Sequence, residues 1–266
     1  MQQGHFRRNG YDPSLERVHH LGLLIGQGVA ACAIHDTRTG EPQFLAWAAD
    51  VPALFLASLP KLPRSVSFVL LPEWSTLVPD GALGMNNGMQ HLALVHGHQA
   101  HGALHDEPLR TLGATCLYTH DGTQEQVVVE RFPNARSLPL QAVLVRSAQS
   151  RSTSGPILLL HRGMDRTDVC IAQGQRVLLS TSYPVRTADD LLYFCLLAAE
   201  RCGLPPEGVV LRYGGTHLRP EERRILQRYF TLAATATSAL WSGLNEEAAT
   251  PIDRWTAVVD QFACVS

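Results

Sequence analysis

Five histidines lie within residues 91–105, namely His91, His96, His98, His101 and His105, and Asp106 and Glu107 follow at once. Imidazole and carboxylate are good zinc ligands, and His101 with His105 at i, i+4 would share one helix face. The spacing is not HExxH, and Gly97 and Gly102 oppose a regular helix, so the segment reads as a solvated, histidine-rich loop. Other chemistries are missing their parts. Lys61, in the loop PKLPR, is the only lysine, which leaves a P-loop or Schiff base one poor candidate. No GxSxG elbow, HxH pair with a distal carboxylate or glycine-rich dinucleotide fingerprint occurs, and Ser75, Ser180 and Ser182 have no evident base. Arg223, Arg224 and Arg228 offer positive charge to phosphate or RNA, but Glu221 and Glu222 beside them make a solvated, salt-bridged surface the simpler reading. No catalytic residue and no metal ligand is assigned from these patterns.

The six cysteines (Cys32, Cys116, Cys170, Cys195, Cys202 and Cys264) form no CxxC pair. Cys32, Cys116, Cys170 and Cys195 sit on apolar stretches and are expected to be buried, reduced thiols. With 266 residues, 45% of them hydrophobic, the chain can bury a full core. A net charge of −2 gives no basic field for nucleic acid, and the apolar runs are strand-sized, too short for a membrane span. The polar N-terminus has no apolar signal core, so a cytoplasmic location is expected.

These side chains must be positioned by the elements around them. Residues 1–16 read as a flexible or loosely docked arm. Residues 17–25 and 29–35 form a hairpin about Gly26-Gln27-Gly28, and residues 43–49 a third strand. Asp50 caps a short helix over 51–58, residues 65–71 form a fourth strand, 88–95 a helix, 113–119 a fifth strand and 124–131 a third helix. Residues 138–151 read as a linking helix. Three β-runs follow at 156–161, 167–172 and 176–183. Thr187 then caps a helix that ends before Gly203. Residues 208–211 are a further strand, Pro220 opens a last helix, and 231–236 is a plausible fifth strand. Trp241 and Trp255 read as core or edge-covering anchors. The order is β-β-β-α-β-α-β-α over 17–132 and β-β-β-α-β-α over 156–230. That pattern indicates one unit duplicated once: an arm (1–16), a first lobe (17–137), a linking helix and loop (138–155) and a second lobe (156–266).

Two such ribonuclease H-like lobes resemble the actin-like ATPase fold of actin, hexokinase-type sugar kinases and heat-shock chaperones, an α/β (α+β) class. STLVP at residues 75–79, DVCIAQGQRVLLSTSY followed by RTADDLLYF, and LRYGG before a helix ending in RYF narrow it further. They resemble a bacterial family, classed as a domain of unknown function, with this fold. The resemblance implies phosphate-cradling Asp-x-Gly turns in each first hairpin and a Gly-Gly turn against adenosine. Those places fall on Gly26 and Gly28, on Gly163 and Asp168, and on Gly214 and Gly215, a candidate vestigial nucleotide cleft. Leu24 and His161 stand where the resemblance implies the two aspartates for magnesium and water, and Met164 and Asp165 replace glycines. No cofactor is therefore expected, magnesium ATP being the one the fold would offer. The expected function is a non-catalytic scaffold or regulatory partner of another protein. The alternative is a nucleotide-binding ATPase with unorthodox phosphate loops, in which Arg162 or Arg166 serves as charge partner. The two lobes' first turns are expected to face each other, presenting Leu24 on one side and His161, Arg162 and Asp165 on the other.

Overall fold

Hairpin turns and helix caps set the element boundaries in the computed structural model, which describes residues 3–84, 86–236 and 252–265. The first elements are β1 (Gly4–Arg7), β2 (His19–Gly26), β3 (Val29–Asp36), β4 (Pro42–Ala48), α1 (Val51–Leu54) and β5 (Ser65–Leu70). Next come β6 (Trp74–Pro79), α2 (Gly88–His96), β7 (His105–Leu109), β8 (Ala114–Thr119), α3 (Gly122–Arg131), β9 (Arg136–Ser137) and α4 (Leu140–Arg151). The remainder are β10 (Pro156–Arg162), β11 (Arg166–Gln173), β12 (Arg176–Pro184), α5 (Ala188–Arg201), β13 (Val210–Gly214), α6 (Pro220–Tyr229), β14 (Ala234–Thr235) and α7 (Thr256–Asp260). Gln27-Gly28 is a two-residue hairpin turn, with Gly28 at φ +67°, where a side chain would be strained. Asp50 caps α1 by accepting from Ala53 N at 2.8 Å. Thr187 and Asp190 form a reciprocal capping box at the start of α5.

The strands form three sheets. The first runs β1-β4-β3-β2-β5-β9 and the second β12-β11-β10-β13-β14. In each, three antiparallel strands are followed by two added in parallel, so apart from β1 the two sheets share order and sense. Two expectations need correction. The N-terminal arm is not loose: β1 pairs antiparallel with β4 and covers its edge, and Tyr11 is buried. The strand at 113–119 is not the fifth of the first sheet. It is β8, the centre of a small antiparallel sheet, β6-β8-β7, and the two-residue β9 takes the place beside β5. Alternation along one strand marks its two faces but does not say which sheet it joins.

Period-two alternation distributes the core. Leu21, Leu23 and Ile25 face outward onto α1 and α3, and Leu158 and Leu160 face outward onto α5 and α6. Leu24, Val69, Leu159 and Cys170 face inward to a central core built on α4 and the segment Ile252 to Val265. That segment ties both sheets together. Trp255, fully buried, stacks on Trp47 with centroids 5.6 Å apart. Gln261 Nε2 donates to Leu23 O at 2.8 Å, and Gln261 Oε1 accepts from Ser67 Oγ at 2.8 Å. Asp260 accepts from Arg151 at 2.7 Å. Trp241 lies outside the described residues. Cys32, Cys116, Cys170 and Cys195 are buried and unpaired, as expected. Among the described residues no helix is long and apolar enough to cross a membrane.

Removal of the Trp255 ring should open a void at the contact between sheets. Trp255→Ala is expected to lower stability by about 3–5 kcal/mol in urea unfolding, with Trp255→Phe losing less.

Candidate functional site

The turn between β10 and β11 is where the resemblance would put a phosphate. Arg162, the last residue of β10, instead turns its guanidinium back into the turn. Its Nη1 donates to the carbonyls of Gly163 (2.6 Å), Met164 (2.9 Å) and Arg166 (3.2 Å), and its Nη2 donates to Val185 O at 3.2 Å. Its Nε donates to Glu222 Oε1 at 3.0 Å, and the two side chains are 3% and 0% exposed. An anion-binding turn points N–H groups inward, whereas this one points carbonyl oxygens inward around a cation. Arg162 is thus not a free partner for phosphate, which corrects the charge-partner expectation. Arg166 is committed as well. It pairs with Asp168 at 3.1 Å, lies 5.7 Å over the Trp74 ring and donates from Nη1 to Glu73 O.

The inner face of the second sheet carries the other candidates. His161 stands directly opposite Asp168 across β10 and β11, yet neither of its ring nitrogens has a hydrogen-bond partner among the described residues. Burial pushes its pKa down to about 4, so the imidazole is neutral. Asp168 accepts from Ser182 Oγ at 2.6 Å in addition to Arg166. Leu24 and His161 are 0% and 1% exposed, so neither is presented to an open cleft as expected: Leu24 is part of the central core. Of the turn glycines, Gly28 is exposed, Gly26 is half-buried and Gly163 is buried. Gly214 and Gly215 are buried under protein. A Cβ on Gly214 would lie 2.5 Å from Asp253 O, and one on Gly215, at φ +124°, would collide with Arg162 N. The Gly215 amide donates to Asp253 O at 3.1 Å. The Gly-Gly pair therefore serves a close approach of backbone to backbone.

Glu73 escaped sequence reasoning. It lies between β5 and β6, and its carboxylate accepts from Leu140 N at 2.8 Å and Gln141 N at 3.4 Å, the first free amides of α4. Those amides favour the charged form, but burial outweighs them and pushes the pKa up to about 7. A glutamate 67 residues before the helix it caps leaves no local signal. Arg223, read as part of a solvated face, has a specific partner in buried Asp253 at 3.0 Å.

In the histidine-rich segment, residues 88–96 are helical and the helix stops at Gly97, as expected, and His105 opens a strand, so His101 and His105 share no helix face. His91, His96 and His101 bond to the carbonyls of Ala82, Ser75 and Gln99. His105 meets His120 and Glu125 instead, with ligand atoms all within 4.8 Å of one another.

With this geometry in view, the family model described as a protein of unknown function (DUF3822) matches residues 64–231. No curated protein sequence matches the chain. A Bacteroides thetaiotaomicron crystal structure described as an actin-like ATPase fold of unknown function is similar at TM-score 0.73 and 15% identity, covering 94% of this chain and 99% of that one. A PilM-PilN type IV pilus biogenesis complex is similar at TM-score 0.53 and 14% identity, covering 94% and 98%. The chain has the actin-like ATPase fold.

Two stability measurements check this geometry. Glu222→Gln leaves Arg162 as an uncompensated buried charge and is expected to cost about 3–5 kcal/mol, and Arg162→Met with Glu222→Leu should stay destabilised, because the turn carbonyls lose their donor. Glu73 keeps its proton to about 7 when folded but to about 4.5 when unfolded, so its own contribution to stability falls as pH rises through that window, against the opposite contribution of buried, neutral His161. Glu73→Gln removes that contribution, so in urea denaturation at stepped pH the variant should gain stability relative to the parent as pH rises from about 5 to 7.

Proposed function

This chain belongs to the DUF3822 family of proteins of unknown function, and we propose that it is a non-catalytic, actin-like scaffold or regulatory partner of another protein. One observation carries the reading: the turn that would cradle phosphate is closed around its own Arg162, which is sealed by Glu222. Phosphoryl transfer needs inward amides and a metal held by hard oxygen ligands. Leu24 supplies neither, His161 is a buried neutral imidazole, and Gly214-Gly215 is covered by Asp253. What remains is a large two-lobed frame suited to protein contacts, and the PilM-PilN complex, similar in fold, supports a partner-binding role. The shared order and sense of the two main sheets supports a duplicated unit, divided as 17–137 and 156–266 about the link 138–155. The free, buried thiols support a reducing, cytoplasmic setting.

The test joins nucleotide to partner. At a hundredfold excess over its dissociation constant, a bound ligand adds about 2.7 kcal/mol and raises the melting temperature. We expect no shift and no turnover with magnesium ATP. We also expect a stoichiometric protein complex, isolated from the native cell, that survives EDTA and enzymatic removal of ATP. Magnesium-dependent turnover lost in Gly163→Val, or a complex that dissolves on nucleotide removal, would overturn the reading in favour of a nucleotide-binding protein using Gly26, Gly28, Gly163, Asp168, Gly214 and Gly215.

A further inference from the structure

We propose that His105, His120 and Glu125 form a binding site for one divalent transition-metal ion of the zinc class, which clips the small sheet to α3. The backbone brings the three together. His105 begins β7 opposite Tyr118 of β8. His120 lies two residues beyond Tyr118, so its side chain returns to the same face. Asp121 then caps α3 by accepting from Thr123 N at 2.8 Å, which starts the helix at once and puts Glu125 in its first turn.

Two of the three donor separations are close to those of a metal site, and all three donors lie within 4.8 Å of one another. Nε2 of His120 and Nε2 of His105 approach the same oxygen, Glu125 Oε2, at 3.1 Å and 3.5 Å. Zinc holds nitrogen and oxygen donors at about 2.0–2.1 Å in a tetrahedron, whose donors are therefore about 3.3 Å apart. An ion between the three would take the Nε2 lone pair of each imidazole, whose single proton then sits on Nδ1. The rings are held in place beforehand. His105 stacks on His120 with centroids 4.7 Å apart and on Tyr118 at 5.2 Å, and the His120 side chain is 1% exposed. His105 and Glu125 keep 25% of their side chains exposed, which leaves the fourth position to water. Two imidazoles and a carboxylate suit zinc, and copper and nickel compete for such a set.

The ion would act as a clip. His105 is in the small sheet and His120 directly follows its central strand, whereas α3 packs Val128 into the outer core of the first sheet. Metal would thus fix the orientation of one sheet against the other.

Untagged protein stripped with EDTA and titrated with cobalt(II), then zinc, tests the proposal. We expect one cobalt per chain with the intense visible absorption of a tetrahedral site, its displacement by zinc, and a higher melting temperature with zinc bound. Glu125→Gln and His105→Gln keep the packing, and each should weaken binding beyond the roughly 10–100-fold that outer-shell changes cost. A variant with His91, His96, His98 and His101 all changed to Gln should bind as the parent does. The proposal falls if the parent gives no tetrahedral spectrum, or if binding survives His105→Gln and disappears in the fourfold variant.

Discussion

Helix α4 is buried between two sheets, and most of the structure is arranged to make that burial tolerable. Leu140, Val143, Leu144, Val145 and Ala148 are all covered, by the first sheet, the second sheet and the C-terminal segment. A helix so enclosed cannot leave its polar groups to water, so each needs an internal partner. Glu73 takes the first amides, Gln141 donates to Ser180 Oγ, and Gln149 donates to Gln175 O. Arg146 pairs with Glu107, and Arg151 with Asp260. These partners come from the β5–β6 connection, β12, the turn before β12, β7 and α7, so the helix sets where five separate segments lie. Glu73 meets the cost of its own burial by holding its proton to about 7.

The same logic explains the turn between β10 and β11. Taking a guanidinium out of water costs of order 20 kcal/mol in the idealised continuum limit, and several kcal/mol after relaxation. Arg162 survives there because four carbonyls and Glu222 surround it. The constraint runs both ways, since Glu222, itself fully buried, is also held by Arg219 at 2.9 Å. The turn, the start of α6 and the end of β12 are thereby locked into one charge network. The inside of this turn is filled by the Arg162 guanidinium.

The small sheet joins this frame on one face, where Leu109 and Cys116 enter the central core and Glu107 pairs with Arg146. Its other face packs Val78 and Leu117 on Leu92 of α2, which exposes Leu94 and Val95. Contacts at its border with α3 add to these. His105, His120 and Glu125 lie at that border.

Short-range physics was legible in the chain. Alternation and turn chemistry mark β2 to β5 and β10 to β13, and Thr187 with two following aspartates marks the start of α5. Each depends on residues within a few positions of one another. Three features were decided by tertiary structure. Membership of β8 in a third sheet depends on which strands flank it, which alternation does not encode. The fate of Arg162 depends on a carboxylate 60 residues away. The meeting of His105 with His120 and Glu125 depends on a strand pairing and a helix start acting together. Hydrogen bonds and charge act over a few ångströms, so a sequence fixes their partners directly only where the chain neighbours are also the spatial ones.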